Sequence, residues 1–307
     1  MEKKRNGLLE IYRFLLCFWP LYFHNFFFWK RDTNFFSGEV LAVDFFFILS
    51  GFFLMKAIRK EQDSPFFKGM ARIMFGRVKP MAFSMCFIFA FDLIYVLLFV
   101  NEDHLEALRW LVRYWWFVLF LTVAAGLIYL LYRLVKSEKI FAIILGAVIV
   151  AMTVLQYAVA EMGMFFDGLS FATRTFGCLP LGILISYIPK IKVKKFNHNI
   201  IPVVLLIPTM LYLAYIKKSF FMLLLMIVLF SALVYFSSSV PVGGKVFDIL
   251  GQLSVRIYLY MAFVTVFEGL GLTNPRALFV IDITLATLDL IASHYMKKYK
   301  ALKKQIA

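Results

Sequence analysis

Charge is scarce in this chain: only 17% of its 307 residues are charged, and just 18 are acidic. Soluble domains carry about 25% charged residues. With 63% of the sequence hydrophobic, a water-soluble core of this length could not hide the apolar surface. A soluble globular protein is therefore excluded, and lipid must cover part of the molecule. Cysteine is equally sparse. Cys17, Cys86 and Cys178 all lie inside apolar runs without metal-ligand or redox spacing, and they read as small buried hydrophobes. No metal is expected. A cleavable leader is also missing from the pattern. Met1 to Arg5 is basic, but the apolar stretch that follows contains Glu10 and Arg13 and ends in aromatics, not in a small-residue cleavage site. It reads as a retained first helix. No soluble domain, repeat or low-complexity linker stands apart, so 1–307 is expected to be one integral-membrane domain.

What the chain has in abundance is long apolar runs. About 20 mostly apolar residues cross a bilayer as a helix, and ten segments qualify: 8–29, 39–58, 78–100, 112–134, 139–160, 170–188, 199–216, 219–237, 247–268 and 275–295. The expected fold is all-α, a polytopic transmembrane bundle of about ten helices. The net charge of +15 does not call for nucleic acid, because the cations fall between the apolar runs and form no single face. They set the orientation instead. With the N-terminus inside, 23 Lys and Arg residues lie on the cytoplasmic side and eight outside, among them Arg174 at the start of its segment. That bias predicts cytoplasmic N- and C-termini in a plasma or inner membrane. The Lys217–Lys218 pair is the one awkward outer loop.

The longest inner connection, 56–80, ends in an apolar and basic stretch from Phe66 to Lys79. It is expected to form an interfacial helix whose cations face lipid headgroups or an anionic ligand.

Ionisable side chains within a bilayer are costly and therefore candidates for function. The first segment holds Glu10, Arg13 and His24. Arg13 and His24 are eleven residues apart, within about 20° of three whole turns, so they share a stripe and are separated by about 16 Å along the axis. Glu10, one turn before Arg13, can pair with it and hold the guanidinium. Pro20 lacks the N–H for the Leu16 carbonyl and predicts a bend below His24. The second segment runs from outside to inside and places Asp44 at about the depth of His24, where a carboxylate would orient the imidazole and stabilise imidazolium. Ser50 and Gly51 are small enough to let helices approach closely. Asp92, Asp282 and Asp289 also lie in apolar segments, lining a cavity or pairing with cations, and Arg256 is placed to pair with Asp248 or to meet an anionic donor. Trp110, Tyr114, Trp115 and Trp116 suit an interfacial aromatic belt. His104, His198 and His294 read as solvated or interfacial.

These residues resemble the acyltransferase-3 family of membrane O-acyltransferases, which modify cell-surface polysaccharides. Its first helix carries an acidic residue, an Arg three later and a His after ten intervening residues, here Glu10 in place of the usual Asp, then Arg13 and His24. The family's second-helix signature, Val-Asp-x-Phe-Phe-x-Leu-Ser-Gly-Phe, is matched from Val43 to Phe52. A basic stretch ending in Arg-x-x-Pro follows, matched by Arg72 and by Arg77 to Pro80. Weaker matches lie at Arg174 to Gly182 and at Leu250 to Leu259, the latter resembling Leu-Gly-x-x-Ser-Tyr-x-Ile-Tyr-Leu-x-His. There the chain departs: Met261 stands where the family has His, and Val255 and Arg256 replace Tyr and a small residue.

The resemblance implies transfer of an acyl group, most often acetyl, from cytoplasmic acyl-CoA to a hydroxyl of a glycan or lipid-linked saccharide. On that reading His24 is the general base or the covalent carrier, and Asp44 its carboxylate. Arg13, Arg72, Arg77 and Lys79 bind the CoA phosphates, while Glu10, Ser50 and Gly51 orient and pack. The competing expectation is a non-enzymatic exporter of exopolysaccharide, which needs a continuous polar path. A third is a cation-coupled transporter using Asp92 and Asp282, for which no broken-helix pair or inverted repeat stands out.

Overall fold

The computed structural model of the chain describes residues 6–22, 24–25, 39–79, 81–99, 116–162, 168–189, 200–215, 220–239, 243–263, 266–267, 270–272 and 274–306. Every regular element among them is helical. In chain order these are α1 (Gly7–Tyr22), α2 (Glu39–Lys60), α3 (Phe66–Val78), α4 (Ala82–Phe99), α5 (Trp116–Leu134) and α6 (Glu138–Glu161). There follow α7 (Gly168–Tyr187), α8 (Ile200–Tyr215), α9 (Phe220–Ser238), α10 (Lys245–Tyr260), a 3₁₀ turn at Met261–Phe263, and α11 (Pro275–Ile306). The described part of each of the ten apolar segments carries a helix, and the basic stretch after α2 forms the separate helix α3.

Four helical stretches among the described residues are long and apolar enough to cross a membrane: Trp116–Leu134, Glu138–Val159, Gly168–Tyr187 and Pro275–Met296. Ala82–Leu98 and Leu223–Ser238 are apolar but shorter. Large apolar side chains face outward on these helices: Phe83, Phe87, Phe89, Ile94, Leu97 and Leu98 on α4, Ile143 and Val150 on α6, and Val280 and Leu288 on α11. An apolar exterior on helices of this kind is what a hydrocarbon solvent requires. The protein is a membrane protein. Cys86 belongs to this outward-facing surface, whereas Cys17 and Cys178 are buried as expected.

The helices form two compact units that interleave in the sequence. The first takes Met1–Asn34, Met81–Leu111 and Gly243–Ala307; the second takes Phe35–Pro80 and Val112–Val242. In the first, α1 packs along α10, α10 packs along α11, and α4 meets α10 and the 3₁₀ turn. Helix α11 is 32 residues long and stays helical to Ile306, past the apolar part that ends at Met296. The sequence pattern ends the apolar segment at 295, but Lys, Ala, Leu and Gln are good helix formers, so the basic tail continues the helix instead of breaking it.

In the second unit α2 and α7 form the most extensive helix pair, because glycines let their backbones touch. A Cβ on Gly51 would overlap the Leu179 carbonyl, and one on Gly182 would overlap the Ile48 carbonyl. Around this crossing Phe47 lies 4.5 Å from Phe117 and Phe45 lies 5.6 Å from Phe230, centroid to centroid. Helix α3 lies against α5, with Gly69 under the Tyr129 ring and Met74 over Gly126. Its outer face carries Phe67, Lys68, Arg72 and Phe75.

Candidate functional site

Among the described residues of the first unit, polar side chains cluster at three places, each beginning with α1 or α11, and Asp92 of α4 is buried apart from them. Asn6 opens α1: its side-chain oxygen accepts from the backbone N–H of Leu8 and Leu9, which fixes where the helix starts. One turn on, Arg13 donates to Glu10 at 2.9 Å. The Glu10 carboxylate is buried, and it is seated where Gly251 of α10 has no side chain; a Cβ there would overlap it. The structure thus brings together the acidic start of α1 and the Leu-Gly-x-x-Ser stretch of α10, 241 residues apart in the chain.

Farther along α1, Pro20 removes the N–H that would bond the Leu16 carbonyl. The helix ends at Tyr22, and His24 and Asn25 lie in a wider π-type turn. His24 is half-buried, with Nδ1 shielded from solvent. Beside it the Asn25 amide donates to the Leu21 carbonyl at 2.9 Å and to Asp282 of α11 at 3.0 Å.

The third site centres on Asp289, two turns below Asp282 on α11. Ser84 of α4 and Ser293 donate to its carboxylate, and the Arg256 guanidinium faces it at 3.5 Å. Arg256 also donates to the Gln252 carbonyl at 3.1 Å. The sequence offered Asp248 as its partner; the structure pairs it with Asp289, because α10 and α11 pack side by side and Asp248 lies two turns back toward the start of α10. Met261, at the position of the resembled family's late His, is buried at the first residue of the 3₁₀ turn.

The second unit holds the remaining predicted site residues. Asp44 is buried in α2 and accepts from one Arg174 nitrogen with both oxygens, each at 3.2 Å. Arg174, counted above among the outer cations, is instead buried within α7, 4% exposed. Its charge is accounted for by a carboxylate and not by water or headgroups, so it does not bear on orientation. Ser50 is half-buried beside Gly51. At the turn between α2 and α3, Ser64 and Arg72 donate to Glu61 at 2.7 and 2.9 Å, and these bonds hold its carboxyl below the usual Glu range. Arg72 therefore already has an acidic partner, while Lys79 at the end of α3 is exposed. Arg133 donates to the Gln62 and Ser64 carbonyls at 2.9 Å each and ties this turn to α5. The Arg77 side chain and Pro80 lie outside the described residues, as do Trp110, Tyr114, Trp115, His104, His198 and Lys217–Lys218. Trp116 is described, and it stacks on Phe171 at 4.1 Å.

His24 and Arg13 thus belong to one unit and Asp44, Arg72 and Lys79 to the other. Among the partners that escaped the sequence reading are Asn25, which is polar but not ionisable, and Ser84, which looks ordinary inside an apolar helix. Among the described residues no group of three His, Cys, Asp or Glu is placed to hold a metal ion. No protein-family model, curated protein or solved structure matches the chain.

Proposed function

We propose that the protein is a membrane O-acyltransferase. It moves an acyl group, acetyl in the first instance, from cytoplasmic acyl-CoA to a hydroxyl of a cell-surface or lipid-linked saccharide. The observation that carries this reading is the order of groups along the chain: a guanidinium held by Glu10 within α1, and an imidazole eleven residues on in the turn that follows it, about 16 Å by the rise of an unbroken helix. That span suits the extended arm of CoA, with its phosphates at the cation and its thioester at the imidazole. The sequence resemblance adds Arg72, Arg77 and Lys79 as phosphate contacts and Asp44 as the carboxylate supporting imidazolium, each open to substitution.

In the reaction His24 takes the proton of the acceptor hydroxyl. The alcohol oxygen attacks the thioester carbonyl, the C–S bond breaks, and the departing thiolate takes the proton from imidazolium. An ester and free CoA result. In the variant with a covalent intermediate, the imidazole first displaces the thiolate and then passes the acyl group to the alcohol. The reading includes a ten-helix topology in a plasma or inner membrane with both chain ends cytoplasmic, which puts Arg13 toward the CoA pool.

The test is transfer of radiolabelled acetyl from acetyl-CoA in membranes containing the protein. Wild-type membranes label glycan, and His24→Ala, present in equal amount, lowers labelling by about 10²-fold or more. An exporter of polysaccharide labels nothing in either case. Undiminished labelling by His24→Ala removes His24 from the chemistry.

A further inference from the structure

Asn25 and Asp282 form a buried pair to which acyl transfer by His24 gives no task. Both are 0% exposed. The two hydrogens of the Asn25 amide are engaged, one by the Leu21 carbonyl and one by Asp282 Oδ2. The other two oxygens, Asn25 Oδ1 and Asp282 Oδ1, are shielded from solvent and meet no donor among the described residues.

The pair is held firmly. Asp289 lies seven residues past Asp282, within about 20° of two whole turns, so the two share a face of α11. Its contacts with Ser84 of α4 and Arg256 of α10 fix the rotation of that helix. At the other end, the Asn25 side chain donates to the Leu21 carbonyl and so ties down the turn that carries His24.

Two buried acceptors with no donor are costly and call for a partner. An anion is repelled by the carboxylate, and an apolar group leaves both oxygens unpaired. Neutral O–H groups fit. We infer that Asn25 Oδ1 and Asp282 Oδ1 form the subsite that receives hydroxyl groups of the acceptor saccharide, one residue on from the base that deprotonates a neighbouring hydroxyl. This rests on the acyltransferase reading of His24.

The experiment uses the full chain in membranes, labelled acetyl-CoA, and as varied acceptor a soluble fragment of the host's surface glycan released by mild acid. Asp282→Asn keeps the size and the bond to Asn25 but turns the second oxygen into an N–H donor. The expected result is a rise of roughly 10- to 100-fold in KM for the fragment, with KM for acetyl-CoA unchanged. A second measurement needs no variant: the wild-type protein is given the fragment after partial O-methylation, which deletes donors one at a time. Acetylated products should be depleted in sugars methylated on the carbon next to the acetylated position. An unchanged fragment KM in Asp282→Asn, or acetyl spread evenly over methylated sugars, overturns the subsite while His24→Ala still abolishes transfer. Transfer that survives His24→Ala removes His24 from the chemistry and the subsite with it, and absence of transfer by the wild-type protein overturns the acyltransferase reading itself.

Discussion

At the scale of single residues, the buried ion pair Asp44–Arg174 illustrates how a charge acquires its meaning from its partner. Neither group reaches solvent, and each neutralises the other across α2 and α7. Removing one member leaves an uncompensated buried charge, at a cost of about 3–5 kcal/mol, whereas removing both costs far less. Asp44→Leu and Arg174→Met should each lower resistance to unfolding in mixed micelles by about that amount, and the double variant should recover most of it. A loss in the double variant equal to the sum of the two single losses would mean that the two side chains do not act as a pair. Gly251 makes a related point, since its lack of a side chain is what seats the Glu10 carboxylate beside Arg13.

At the scale of helices, the α2–α7 crossing depends on two positions where backbone meets backbone. A carbonyl cannot rotate away as the end of a side chain can, so a methyl at Gly51 or Gly182 must push the helices apart. Gly51→Ala and Gly182→Ala should each destabilise by about 1–3 kcal/mol, as overpacked cores do. Gly146 on α6 is the control, because a Cβ there meets nothing within 4 Å. Gly146→Ala should be neutral or stabilising by up to about 1 kcal/mol through helix propensity alone. Thermal midpoints of the three purified variants in one detergent decide the matter, and a Gly146→Ala as harmful as the others would refute the close-crossing explanation.

At the scale of the whole molecule, the basic residues and the apolar surface act together. The lysines of the last ten residues extend α11 beyond its apolar part, and Cys86 sits on the outward apolar surface of α4. In sealed right-side-out vesicles, cysteines placed at positions 3 and 303 should resist a membrane-impermeant maleimide until the vesicles are opened. Labelling of either before opening contradicts the orientation inferred from the cations. Cys86 itself should react with a lipid-soluble maleimide and not with the impermeant one in either state.

Much of this was open to reading from the chain alone. Apolar runs place helices because a backbone in hydrocarbon must bond to itself, and this needs no knowledge of neighbours. The i, i+3 spacing of Glu10 and Arg13 likewise predicts their pairing, since one helix supplies both groups. Partners from different helices were another matter. Asp289 for Arg256, Asp44 for Arg174 and Asp282 for Asn25 are 33, 130 and 257 positions apart. Periodicity shows which face of a helix is polar, but not which other helix that face meets. Only the tertiary fold decides that, because a buried charge or amide is satisfied by whatever group packing brings within about 3 Å of it.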